Sequence, residues 1–145
     1  MKTLINAWPF WVCLSAVFAA LTAIFAKVGI AGINSDLATF IRTAVILAVS
    51  AAILSLLREW QPLGALSPRT WLFLMLSGLA TGLSWLCYFR ALKLGDAARV
   101  APVDKLSVVF VAVFSVLFLG ERLSFQAWLG VGLVAAGAVV IALAA

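Results

Sequence analysis

The chain has 145 residues, of which 66% are hydrophobic and 10% charged, and its mean hydropathy is +1.23. So little polar surface cannot clothe a water-facing shell, which excludes an ordinary soluble domain and leaves lipid as the solvent. The net charge of +5 comes from cations scattered singly, without a basic stripe or interleaved aromatics, which excludes nucleic acid as a partner.

Five runs approach the roughly 20 residues that cross a hydrocarbon core. In lipid each must be a helix, because a lone strand would leave its backbone unpaired. The first run, Trp8–Ile30, follows Lys2 and outruns the roughly 7–15 residues of a signal core, so it reads as a retained span. Ala31–Asp36 then supplies the turn and N-cap residues Gly32, Asn34, Ser35 and Asp36. The second run, Leu37–Leu57, carries Arg42 about five residues in, or roughly 8 Å deep. The next connection, Arg58–Arg69, contains Pro62, Gly64 and Pro68.

The third run, Trp71–Leu92, repeats Ser77, Thr81, Ser84 and Tyr88 at spacings of four, three and four, which puts them on one helix face. Trp85 neighbours that face, and Gly78 and Gly82 sit beside it. Two uses are open: a polar and aromatic lining for a small-molecule cavity, or close helix packing through Gly78-x-x-x-Gly82. Lys93-Leu94-Gly95-Asp96 reads as a cation in a last turn, a C′ glycine and an N-cap. The fourth run, Ala97–Leu119, holds Pro102, Asp104 and Lys105. Gly120–Ser124 repeats the stop-and-start chemistry before the fifth run, Phe125–Ala144, whose Gly130, Gly132 and Gly137 let backbones approach closely. The expected fold is all-α: a polytopic membrane bundle of five transmembrane helices forming one domain over residues 1–145.

Orientation normally follows Lys and Arg in the connections. Lys2, Arg58, Arg69 and Arg122 fall on the N-terminal face, and Lys27, Arg90, Lys93 and Arg99 on the other, a balance of four against four. Either displaced span ends hide a bias, or the chain inserts both ways and two copies pair antiparallel. Trp8, Trp11, Trp60, Trp71 and Trp128 gather near the N-terminal face, where an interfacial aromatic belt sits.

Charges inside spans are the candidate site. On translocon scales Arg, Lys or Asp at a helix centre costs about 2.5–3.5 kcal/mol. The second and fourth spans start from the same face, so Arg42, Asp104 and Lys105 lie in the same half of the membrane. One reading is a polar site with Asp104 paired to Arg42 or Lys105; the other lets the two cations snorkel to the headgroups, for which Asp104 is too short. Pro102 cannot donate to the helix ladder and clashes with the carbonyl of Ala98. It therefore either breaks the span beside Asp104, as transporter helices are broken at binding sites, or begins the helix as its first residue. Cys13 and Cys87 lie within apolar runs and histidine is absent, so neither a disulfide, a metal, a cofactor nor a catalytic residue is expected.

Tyr88-Phe89-Arg90-Ala91-Leu92-Lys93-Leu94-Gly95, Ala101-Pro102, Phe118-Leu119-Gly120-Glu121-Arg122-Leu123 and the closing Gly130, Leu133 and Gly137 together resemble the EamA domain of the drug/metabolite transporter superfamily. The likeness covers essentially the whole chain. It implies that full-length members carry two such five-helix repeats in inverted orientation around a central cavity, of which this chain holds one. The related small multidrug-resistance proteins use a glutamate in their first helix. The first span here has no acid, which leaves Asp104 as the intramembrane acid for any proton coupling.

The function expected is therefore a transporter subunit that moves a small metabolite or amphipathic solute by alternating access. Its partners would be the lipid bilayer, the solute, and either a second, antiparallel copy of itself or a similar half-size subunit. The setting is a multi-pass position in the cell's inner membrane. A non-transporting membrane-assembly or lipid-carrier accessory subunit is the competing function, and an enzyme is not expected.

Overall fold

A computed structural model describes residues 7–144. Among them six α-helices and one short 3₁₀ turn follow in chain order: α1 Trp8–Gly29, α2 Ser35–Leu57, the 3₁₀ turn Leu63–Ala65, α3 Pro68–Leu94, α4 Ala97–Asp104, α5 Ser107–Leu119 and α6 Phe125–Leu143. Five candidate spans result, because α4 and α5 together make one. Lys2, counted above among the cations, lies outside the described residues.

The ends of these helices obey local chemistry. Asn34 caps α2, its side-chain oxygen accepting the backbone N–H of Asp36 at 2.7 Å and of Leu37 at 3.3 Å. The helix therefore starts at Ser35, two residues before the hydrophobic run. Pro68 opens α3 from the first turn, where its missing N–H costs no ladder bond. Ser124 caps α6 by accepting the Ala127 N–H at 3.2 Å. Gly120 ends α5 in the left-handed region at φ +68°, and the next N–H, that of Glu121, reaches back to the Ser115 carbonyl at 3.2 Å.

One expectation is corrected. Gly95 is not the left-handed stop that its sequence neighbourhood suggests; the positive-φ glycines are Gly32 and Gly120. Its carbonyl instead accepts the Lys27 ammonium at 2.7 Å. The fourth span is broken, which is one of the two readings of Pro102. It begins at Ala97, runs through Pro102 and breaks at Lys105 and Leu106.

The chain divides into two units, one made of Met1–Lys27 with Leu94–Ala145, the other of Val28–Lys93. In the first, α4 and α5 both pack on α6. Its buried residues are small: Ala23, Ala26, Ala112, Ser115 and Ala138. Close approach of backbones through small side chains is how helices associate where lipid removes the hydrophobic drive. The large side chains point the other way. Phe110, Phe114 and Phe118 recur every four residues on α5, stacked with centroids 6.2 and 5.7 Å apart, and all three are exposed. In water that ladder would be an aggregation surface; in a bilayer it is the solvated face.

The second unit is an antiparallel pair, α2 and α3, joined through the 3₁₀ turn. Arg58 closes α2 in the left-handed region at φ 55°, and the Glu59 N–H returns to the Leu54 carbonyl at 3.0 Å. The opposite, unconnected end of the pair is tied by side chains. Arg90 grips Asp36 with two hydrogen bonds, Nε to Oδ1 at 3.3 Å and Nη2 to Oδ2 at 3.0 Å. Lys93 donates to the Ile33 carbonyl at 2.7 Å. Under this clasp Ser35, Ala38 and Thr39 of α2 and Phe89 and Leu92 of α3 are buried, and the Thr39 hydroxyl is satisfied by the Ser35 carbonyl at 2.9 Å.

Candidate functional site

Arg42 stands on α2, seven residues beyond its first, which is about 10 Å of helix at ~1.5 Å per residue. Its side chain crosses to α3. The guanidinium carbon lies 3.7 Å from the centre of the Trp85 ring and 5.4 Å from that of Phe89. Trp85 and Phe89 are four residues apart and therefore share a face of α3, forming an aromatic shelf. Tyr88 extends the shelf, its ring meeting that of Phe89 edge-on at 6.5 Å. Arg42, Trp85 and Tyr88 are half-buried and Phe89 is buried.

Two ion pairs occur among the described residues, Arg90–Asp36 and Lys105–Asp104, and Arg42 belongs to neither. Its charge is held instead by the electron-rich ring faces. That contact is worth most where water is scarce.

Asp104 and Lys105 sit where the fourth span breaks. The Lys105 ammonium lies 3.4 Å from Oδ2 of Asp104, and both side chains are partly exposed. The backbone on either side bonds three residues back rather than four: Lys105 N–H to the Pro102 carbonyl, Leu106 to Val103, Val108 to Lys105 and Val109 to Leu106, each at 3.0 Å. This tight 3₁₀ pattern follows Pro102, which supplies no N–H of its own. Of the two readings of Pro102, the structure adopts the broken span, with the break three residues beyond the proline and at the charged pair itself.

The polar face of α3 is outward. Ser77, Thr81 and Ser84 are exposed, and the Thr81 hydroxyl donates to the Ser77 carbonyl at 2.9 Å. The glycines offered for packing are open as well. A methyl group added at Gly78, Gly82, Gly130, Gly132 or Gly137 would meet nothing within 4 Å among the described residues. Among the described residues, then, nothing lies in close approach to these positions.

Two features escaped the sequence reading: the stacking of Arg42 and the part played by Phe89. A signal for both existed. Arg42 lies 57 − 42 = 15 residues before the end of α2, and Trp85 lies 85 − 68 = 17 residues after the start of α3. Counted from their shared turn, the two reach nearly the same height in an antiparallel pair. The same count brings Asp36, at 21, beside Arg90, at 22.

Chemically, the arrangement can hold charge. Comparison with known proteins agrees with that character. The sequence profile of the EamA-like transporter family matches residues 6–143. A Sinorhizobium protein described as an uncharacterized transporter in the cobO 3′ region is 66% identical over 137 residues, which span 94% of this chain and 97% of that protein. No solved structure matches the chain.

Proposed function

The chain belongs to the EamA-like transporter family, and from that premise we propose that it is one half of a two-unit transporter, completed by an antiparallel second copy. It is a multi-pass membrane transporter and not an enzyme. The proposal concerns how it is assembled and what it moves.

What supports this reading is the five candidate spans among the described residues, together with the four-against-four division of Lys and Arg expected from the sequence. An odd number of spans puts the two ends of one copy on opposite faces. A second copy in the same orientation gives a parallel pair, whereas opposite insertion gives the inverted arrangement used by two-repeat transporters. Balanced charges allow opposite insertion. The Sinorhizobium relative supports the half-size reading, since almost all of it aligns and little of it remains to hold a second set of spans. The outward polar face of Ser77, Thr81 and Ser84 and the open glycines of α3 and α6 suit contact with solute or partner. In this proposal Arg42, Asp104 and Lys105 form the polar site, the α3 face lines the path, and the cargo is a small metabolite or amphipathic solute moved by alternating access. An accessory subunit without transport fits the family less well.

The test is the orientation of the C-terminus in cells. One set of fusions carries a fluorescent protein that matures only in the cytoplasm, the other an alkaline phosphatase active only outside it. Comparable signal from both is expected. Signal from one alone would rule out the antiparallel homodimer and require a partner of fixed, opposite orientation.

A further inference from the structure

Arg42 differs from the cations around it in what its donors meet. Lys27, Arg90, Lys93 and Lys105 each have an oxygen acceptor in the chain, at 2.7 to 3.4 Å. Arg58, Arg69, Arg99 and Arg122 lie at helix ends or in connections, within reach of water and headgroups. Arg42 is two turns inside a span, and the contacts it makes among the described residues are with aromatic rings. Stacking engages the flat face of a guanidinium. The five N–H donors lie in its plane and point outward from the edge, in a fork that matches a carboxylate or phosphate. Donors without acceptors in a low-dielectric setting are costly, and among the described residues no carboxylate pairs with Arg42.

We infer that Arg42 binds an oxyanion, a carboxylate or a phosphate, through this in-plane fork, with Trp85 and Phe89 holding the guanidinium face-on. The rings fix the group in orientation without neutralising it, so its charge stays available for a ligand. Lysine could supply the charge but not the fork. This rests on the transporter reading, since it makes the cargo an acidic solute. A lipid headgroup phosphate has the same chemistry and is the other source.

The experiment separates these sources. The full chain is placed in nanodiscs of phosphatidylcholine alone and titrated with radiolabelled inorganic phosphate or succinate, at constant ionic strength held with chloride. Parallel nanodiscs contain phosphatidylglycerol, and the lipid retained by the protein is weighed by mass spectrometry. Saturable binding of either soluble probe is expected, weakened at least about tenfold in Arg42→Gln, as for loss of a hydrogen bond to a charged group. Arg42→Lys falls between, and Arg122→Gln binds like the parent. If neither soluble probe binds but phosphatidylglycerol is retained in an Arg42-dependent way, the oxyanion is a headgroup. Binding that is equal in the parent and Arg42→Gln, or absent in every arm, overturns the inference. Helical content by circular dichroism and elution volume confirm that the variants are folded. Because binding is read without flux or topology, an overturned site leaves the half-transporter reading standing, and one-sided insertion leaves this result untouched.

Discussion

Removing the aromatic shelf from beneath Arg42 gives a measurable and signed effect. A guanidinium 3.7 Å from the Trp85 centroid is well inside the ~6 Å range of the cation–π attraction. Such a contact is worth about 0.5–1 kcal/mol when exposed and about 2 kcal/mol when desolvated. Both partners are half-buried, which points to about 1–1.5 kcal/mol, with Phe89 at 5.4 Å retaining a minor share after Trp85 is gone. Trp85→Leu alone would mix that loss with lost ring packing. Arg42→Met alone would mix it with relief of the ~2.5–3.5 kcal/mol attached to a cation inside a span, and is expected to stabilise on balance. The double-mutant cycle isolates the pair. Unfolding of all four proteins in mixed micelles of rising dodecyl sulfate fraction should show a coupling of about 1–1.5 kcal/mol, a factor of about ten in the equilibrium constant. Coupling below ~0.5 kcal/mol, the usual scatter of independent sites, would refute the stack and place the guanidinium at the headgroups instead.

Gly120→Ala should cost about 1–2 kcal/mol in the same assay. The added methyl meets open space, so the penalty comes from φ +68° alone, and Gly120→Asn should recover part of it. Asp36→Arg sets two cations against each other at the clasped end of the α2–α3 pair and should speed amide exchange at residues 36–39; Asp36→Arg with Arg90→Asp should restore slow exchange. Unchanged exchange in the single variant would mean that the buried Phe89 and Leu92, not the ion pair, close that end.

The sequence was most readable where lipid imposes the rule. All five spans were visible as runs because hydrocarbon demands about 20 apolar residues wherever a helix crosses it. Their ends moved by up to three residues, at Ser35 and Pro68, where a cap or a proline and not hydropathy decides the first turn. The break in the fourth span was visible as Pro102, but its position at Lys105 was not, because the effect of a missing donor spreads along the following turn. Gly95 misled because a glycine after a helix can serve as a left-handed stop or simply as an exposed carbonyl, and it was Lys27, 68 residues away, that selected the second. The partner of Arg42 was hidden for a related reason. A search for charge opposite charge passes over an aromatic ring, although the register of α2 against α3 already set Trp85 at the right height.

The clasp at the unconnected end of the α2–α3 pair also constrains how this protein can change over generations. Arg90 and Lys93, two of the cations that the sequence puts opposite the N-terminal face, are each occupied in holding a carboxylate or carbonyl of the chain. Their number cannot drift freely, since losing one loosens a connection. Arg58, Arg69 and Arg122, by contrast, take part in neither of the described ion pairs. A lineage that settled into a single insertion direction would therefore be expected to show it there, by gaining or shedding cations on the tryptophan-rich side while the clasp stays constant.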